Sequence, residues 1–428
     1  MADPQLALWF DGVHTATITD HGFGTISLQY TPEAQNSSAL LSTKLPIREE
    51  PYAWVECVHF LDGLLPEDDV RKMLADKARI PHDDTFMMLG AYGKDCAGAV
   101  QVLPLGEEPN NEPHEILWTT DEELATAIAS LPTAPLGIGI DSSIRVSLGG
   151  LQGKLLVVRD GPRIGMPLDG SPTTHILKPA RLNEDGTEQW PSIAELELFG
   201  LRLVEASVRL SRSKRQIAAA AEAITVQGRK AILVERYDRD AQSKPVRRIH
   251  QEDFCQALGM KQKYQKPAEN SPTLKLIAQV LTDNASNPPQ ERELLLKYLT
   301  VNLALGNCDM HARNIGLTID HGTVRLAPAY DVVPTAAWAH ADRELSLHVG
   351  AGAHIDEVNG RHLMDEAASW GVPSKIAARQ IRTVLGEMLD ALPALIEQSR
   401  AEGWFTPMIL DVADDTRKRI GRLTPPSA

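Results

Sequence analysis

Asp309-Met-His311-Ala-Arg313-Asn314 is a polar loop between an apolar helical run at 294–305 and two short alternating segments at 315–319 and 323–326. Asp320-His321-Gly322 joins those segments as a turn, and Tyr330-Asp331 follows them. A helix end, a tight loop and a hairpin leave the backbone little freedom, so this stretch constrains the fold more than any other. Asp309 and Asn314 stand five positions apart, and the hairpin returns the chain so that Asp331 can meet them. Asn314 and Asp331 offer hard oxygen ligands suited to Mg2+. Asp309 offers a carboxylate that can orient or deprotonate a hydroxyl. Singly, each residue is as well explained as a cap or a surface acid. Together they are the parts that phosphoryl transfer requires: a base, metal ligands and little else. His311 positions Asp309, meets a phosphate or simply packs in the loop; the residues leave these open.

The rest of a nucleotide site can be sought upstream. Ser147-Leu-Gly149-Gly150-Leu151-Gln152-Gly153-Lys154 is a glycine-rich segment flanked by strand-like runs at 144–147 and 154–159. It lacks the spacing of a Walker A loop, and Leu155 stands where a metal-binding Ser or Thr belongs. It also lacks GxGxxG. Small residues there still free backbone N–H groups to meet an anion. Lys178 ends the apolar run THILK and can reach nucleotide phosphates from an inward strand position. Glu195, in a helical run at 193–210, can hold that lysine by an ion pair; Glu197, on another face, is the rival. The run 231–237 is an apolar strand whose end, Glu235-Arg236-Tyr237, offers backbone to an adenine edge.

These parts fit an α+β, protein-kinase-like bilobal fold. A β-rich N-terminal lobe at 140–250 carries the phosphate loop and lysine, and an all-helical C-terminal lobe at 251–428 carries the catalytic loop. Helical runs are expected at 251–259, 273–281, 290–305, 356–369 and 374–398, interrupted by the one hairpin. Residues 1–105 form an extra N-terminal subdomain. Alternation over 5–30 predicts a small antiparallel sheet, 54–77 is helical with Pro66-Glu-Asp-Asp in a first turn, and the proline-rich 104–118 is a linker. The chain has 428 residues, 43% hydrophobic and 23% charged, enough apolar content for packed domains. A net charge of −14 argues against a protein that grips nucleic acid by itself. Four scattered cysteines without a CxxC pair give neither a disulfide framework nor a zinc site. With no leader-like N-terminus and no long apolar run, a cytoplasmic protein without membrane association is expected.

The set SLGGLQGK, THILKP, LVERYDR, HQEDFCQALGM, NCDMHARNIGL and LAPAYDVVPT, with LDGLLPEDDVR and GAYGKDCAGAV nearer the N-terminus, resembles the HipA family nearly end to end. That family comprises bacterial serine/threonine kinase toxins of toxin–antitoxin modules. The resemblance implies ATP and Mg2+ as cofactors, Asp309 as the catalytic residue, and Asn314 and Asp331 as metal ligands. It implies that ATP lies against Gly149, Gly150, Leu151, Gln152, Gly153, Lys154, Lys178, Glu235, Arg236, Tyr237, Gln251, His311, Asn314 and Asp331. Ser147 matches a serine whose autophosphorylation ejects the loop and silences the enzyme. The implied protein substrate is translation-related, an aminoacyl-tRNA synthetase such as the glutamyl enzyme. The implied partner is a HipB-like helix-turn-helix antitoxin that carries the toxin to operator DNA. Some relatives touch that DNA through a lysine pair; residues 350–360 here contain no Lys or Arg, so DNA is reached only indirectly.

Two other classes of function compete with this expectation. A catalytically weak co-repressor or scaffold partner of the antitoxin is disfavoured by the intact set Asp309, Asn314, Asp331 and Lys178. A small-molecule kinase shares the D-x-x-x-x-N…D skeleton but leaves the N-terminal segment and the SLGGLQGK loop unexplained.

Overall fold

A computed structural model describes residues 3–35, 40–109, 115–138, 140–141, 144, 146–148, 153–210, 215–267 and 269–426. Gly149, Gly150, Leu151 and Gln152 of the phosphate-loop candidate lie outside the described residues. The fold is mixed α+β, and the chain divides into two compact units. The first comprises Met1–Pro179, Ile224–Lys261 and Thr318–Thr323; the second comprises Ala180–Ala223, Gln262–Leu317 and Val324–Ala428.

In the first unit the expected N-terminal sheet is present. Gln5–Phe10 and Val13–Asp20 pair antiparallel across Asp11 (φ 49°) and Gly12 (φ 76°), the left-handed pair that a two-residue hairpin turn requires. Ile26–Tyr30 adds on one side and Val100–Pro104 on the other. Leu8, Ile18 and Leu28 are completely buried on its core face. Two helices follow, Trp54–Gly63 and Asp68–Ala78. The second starts just after Pro66-Glu67, with Asp68 and Asp69 in its first turn, where carboxylates meet the positive helix end.

A six-stranded sheet completes this unit, in the order Ile116–Trp118, Arg163–Pro167, Leu155–Asp160, His175–Pro179, Arg229–Glu235, Ala221–Val226. Ala231 to Val234 is buried throughout, as a central strand demands. The strand-like run expected at 144–147 is not a strand among the described residues: Val146 makes a single bridge to Asp95.

The second unit is mainly helical. Pro288–Leu305 begins with two prolines, whose missing N–H groups cost nothing at a helix start, and stops at Gly306 (φ 90°). It packs with Leu274–Asn284, Ser374–Ala401 and Met408–Leu423, and Ser374–Ala401 also packs on Ile193–Ser207. Several boundaries differ from expectation. The run 251–259 splits into strand His250–Asp253 and helix Phe254–Leu258, because Asp253 caps the helix by accepting from the Gln256 N–H. The helix expected at 356–369 begins at Gly360, where Asn359 caps it. A second hairpin, Glu344–Val349 with Gly352–His354, joins the expected Gly316–Asp320 and Thr323–Leu326 pair. Among the described residues, no helix is long and apolar enough to cross a membrane.

Candidate active site

The second unit carries Asp309, His311 and Asn314 on one short loop after Pro288–Leu305, and Asp331, beyond the hairpin that follows, lines the same cavity as Asn314. Arg419 donates to the Leu305 carbonyl at 3.2 Å, covering the C-terminus of Pro288–Leu305. Beyond Gly306 a relay of side-chain amides takes over. Asn307 Nδ2 donates to Asn302 Oδ1 at 2.7 Å, and Asn307 Oδ1 accepts the Asp309 N–H at 2.9 Å. Asn302 and Asn307 are buried, so the relay is shielded from competing water. The loop then turns tightly: the His311 N–H donates to the Asp309 carbonyl at 2.9 Å, and the Asn314 N–H to the His311 carbonyl at 2.8 Å.

Asn314 Nδ2 also donates to the Asp309 carbonyl, at 2.8 Å. A carbonyl can only accept, so the amide nitrogen is identified and Oδ1 is left as an oxygen ligand. Asn314 and Asp331 line the same small cavity, with Asn302, Asn307, Met310 and Tyr330. A donor set of one amide oxygen and one carboxylate fits Mg2+. Asp331 holds φ 56°, the left-handed region, which costs a residue bearing a Cβ. Close packing keeps it there. A Cβ on Gly200 of Ile193–Ser207 would lie 2.1 Å from the Val332 carbonyl oxygen, so only glycine lets the chain after Asp331 sit that close. Tyr330 anchors the other side, its hydroxyl donating to the Arg313 carbonyl at 2.7 Å.

The Asp309 side chain is half exposed. His311 is buried and packs edge-on against Tyr264, with Nε2 4.0 Å from Asp309 Oδ1. Glu195 and Glu197 are both buried in Ile193–Ser207, so burial does not separate the two candidates.

In the first unit Lys178 is buried on His175–Pro179, opposite Ile232 of the neighbouring strand, and Lys154 is buried just before Leu155–Asp160. Ser147 is completely buried: its hydroxyl donates to the Leu64 carbonyl at 2.5 Å and its N–H to the Asp95 carbonyl at 2.9 Å. Tyr237 and Gln251 meet directly, the phenol donating to Gln251 Oε1 at 2.8 Å.

Arg236 is engaged elsewhere. Its N–H donates to the Thr174 carbonyl at 2.9 Å, which leaves the main chain of Glu235 and Tyr237 as the adenine-edge candidates. Its guanidinium belongs to a buried cluster that sequence reasoning missed. Asp238 accepts from Arg236 at 2.6 Å and from Arg239 at 3.0 Å, and Asp95 accepts from Arg239 and Arg248 at 3.0 Å each. Burial alone would raise the Asp95 carboxyl, but Arg239, Arg248 and Arg236 outweigh it and hold Asp95 below its ordinary range. Arg239 is lowered to about 10 by burial and by the Arg236 charge beside it. The cluster fixes the hinge segment 236–239 against the 95–98 loop. No local signal announces it, because Asp95 is an unremarkable acid in sequence. Ser346, which donates to Asp309 Oδ1 at 3.3 Å, was also missed. Its signal was available: ELSLHV at 344–349 alternates strictly, as a half-buried strand does.

Comparison with known proteins identifies the family. Residues 6–103 match the HipA N-terminal domain and residues 146–395 the HipA-like C-terminal domain. A Sinorhizobium fredii protein designated "Putative kinase Y4mE" is 32% identical over 404 residues, 92% of either chain. The Shewanella oneidensis serine/threonine-protein kinase toxin HipA is 24% identical over 394 residues, 87% of this chain and 86% of that one. The fold is similar to a chain in the structure of the Shewanella oneidensis MR-1 toxin–antitoxin system HipA, HipB and operator DNA complex, with a TM-score of 0.81, 21% identity and 97% of both chains covered. Two domain models of one family matched in order, and a relative of that identity along nearly the whole length, make this chain a member of the HipA kinase family.

Proposed function

We propose that the chain is an ATP-dependent serine/threonine protein kinase that acts as a toxin, with Asp309 as the base. The observation that carries this is the Asp309–Asn314 loop. One amide relay holds its backbone, the Asp309 carboxylate stays half exposed, and Asn314, its amide nitrogen occupied by the Asp309 carbonyl, lines the same cavity as Asp331. Asp309 takes the proton of the acceptor hydroxyl as that oxygen bonds to the γ-phosphorus and the bond to ADP breaks. Asn314 and Asp331 hold the Mg2+, which would neutralise charge building on the phosphate oxygens. Lys154 and Lys178 meet phosphates, Glu195 orients Lys178, His311 lies beside the base, Glu235 and Tyr237 face adenine, and Gln251 lies near the ribose. In this reading 1–105 is the N-terminal subdomain, 140–250 the nucleotide lobe and 251–428 the catalytic lobe.

The Ser147 environment supports self-inactivation. Its hydroxyl lies against a carbonyl with no solvent access, so a dianionic phosphate there expels the segment from its seat. The protein acceptor in this reading is translation-related, an aminoacyl-tRNA synthetase such as the glutamyl enzyme. The partner is a HipB-like antitoxin that reaches operator DNA on the chain's behalf, in the cytoplasm. The related Shewanella oneidensis structure, a complex of HipA with HipB and operator DNA, supports the partner.

Incubation with Mg2+ and labelled ATP, followed by mapping of the phosphate, tests the reading. Label on Ser147 and on one synthetase is expected, with Asp309→Ala losing about 10²-fold or more of the rate. Absence of label from wild type, with no nucleotide heat by calorimetry, would leave the co-repressor reading in its place.

A further inference from the structure

We propose that Ser346 is a positioning residue for Asp309, setting the rotation of the carboxylate that receives the acceptor proton; this rests on Asp309 being the base. Ser346 lies on Glu344–Val349, whose Leu345, Leu347 and Val349 are buried. Strand alternation therefore puts Glu344, Ser346 and His348 on the opposite, polar face. The main chain of Ser346 is clamped on both sides. Its N–H donates to the Cys308 carbonyl at 2.9 Å, and its carbonyl accepts from the Gln265 N–H at 2.8 Å. The strand is thereby tied to the residue before Asp309, which brings the Ser346 hydroxyl to Asp309 Oδ1 at 3.3 Å.

The division of labour is physical. The Asn302–Asn307 relay fixes the Asp309 backbone through its N–H, and Asn314 fixes it through its carbonyl. Neither of these two contacts restrains the carboxylate torsion. A hydroxyl donor on one carboxylate oxygen selects one rotamer. Ser346 Oγ stands nearer Oδ1, at 3.3 Å, than His311 Nε2 does at 4.0 Å. Hydrogen bonds of this kind are often long before substrate arrives and shorten as charge moves in the reaction.

The test measures transfer of ³²P from labelled Mg-ATP to the full chain as ATP is varied, for wild type, Ser346→Ala, Ser346→Thr and Asp309→Asn. Ser346→Ala is expected to lower the maximal rate about tenfold, equivalent to roughly 1.4 kcal/mol of barrier, while half-saturating ATP and the thermal midpoint stay at wild-type values. Ser346→Thr keeps the hydroxyl and suits a strand, so most of the rate should return. A wild-type maximal rate in Ser346→Ala overturns the proposal, and so does Ser346→Thr as slow as Ser346→Ala, because packing would then explain the loss. An Asp309→Asn variant as fast as wild type overturns the base and Ser346 with it. An inactive Asp309→Asn beside an unaffected Ser346→Ala overturns Ser346 alone.

Discussion

At the scale of single residues, the site spends conformational energy where the proposed metal ligands stand. Asp331 keeps a left-handed backbone, which Asn and Asp tolerate better than other residues bearing a Cβ. Asp331→Asn should therefore leave unfolding free energy within about 0.5 kcal/mol of wild type, while Asp331→Val should lose about 1–2 kcal/mol. Both should lose Mg2+-dependent phosphate transfer, since neither retains a carboxylate. Denaturant titrations beside ³²P incorporation separate the two effects, and an active Asp331→Asn would remove this residue from the metal site. The same economy appears in Asn314: donating its nitrogen to the Asp309 carbonyl leaves its oxygen as the ligand atom. The loop itself was legible from residue type and spacing, because six residues between a helix and a hairpin have few ways to close.

At the scale of elements, His250–Asp253 was the least readable. It resembled a helix start in sequence and became a strand with two buried titratable groups on one face. Glu252 accepts from the Ser42 hydroxyl at 2.6 Å and from the Thr43 N–H and hydroxyl at 2.9 and 2.8 Å. Burial outweighs those donors and pushes its carboxyl up to about 7. His250 is pushed down to about 4 by burial, with Nε2 donating to the Leu41 carbonyl. The signs oppose. A raised acid favours the folded state while protonated, so the Glu252 contribution is full below about 4.5 and lost as pH rises to about 7. The His250 contribution is present above 6.5 and lost as pH falls towards 4. Glu252→Gln should therefore lose less stability than wild type between pH 5 and pH 8. Equal losses in the two proteins, measured by denaturant at both pH values, would rule out Glu252 as the source. The Glu344–Val349 strand went unread although it alternates strictly, because its pairing partner Gly352–His354 has too little pattern to mark a hairpin.

At the scale of the whole molecule, the buried charges carry the most information about the first unit. Asp95 and Asp238 meet Arg236, Arg239 and Arg248 out of water, joining a loop near residue 95 to a segment more than a hundred positions later. Removing one partner of such a group strands the others. Asp95→Asn should thus cost about 3–5 kcal/mol, seen as a fall in the thermal midpoint and in expression, and a loss below about 1 kcal/mol would mean that water reaches the cluster. By itself the sequence determined the α+β kinase-like class, because local spacing and apolar period survive without knowledge of neighbours, and motifs that resemble the HipA family's pointed to that relationship. Only the tertiary structure decided that Ser147 is sealed against Leu64, that Arg236 is bound into a charge cluster, and that Ser346 faces Asp309. Those facts depend on contacts between residues distant in the chain, and on which buried polar group finds its partner once water is gone.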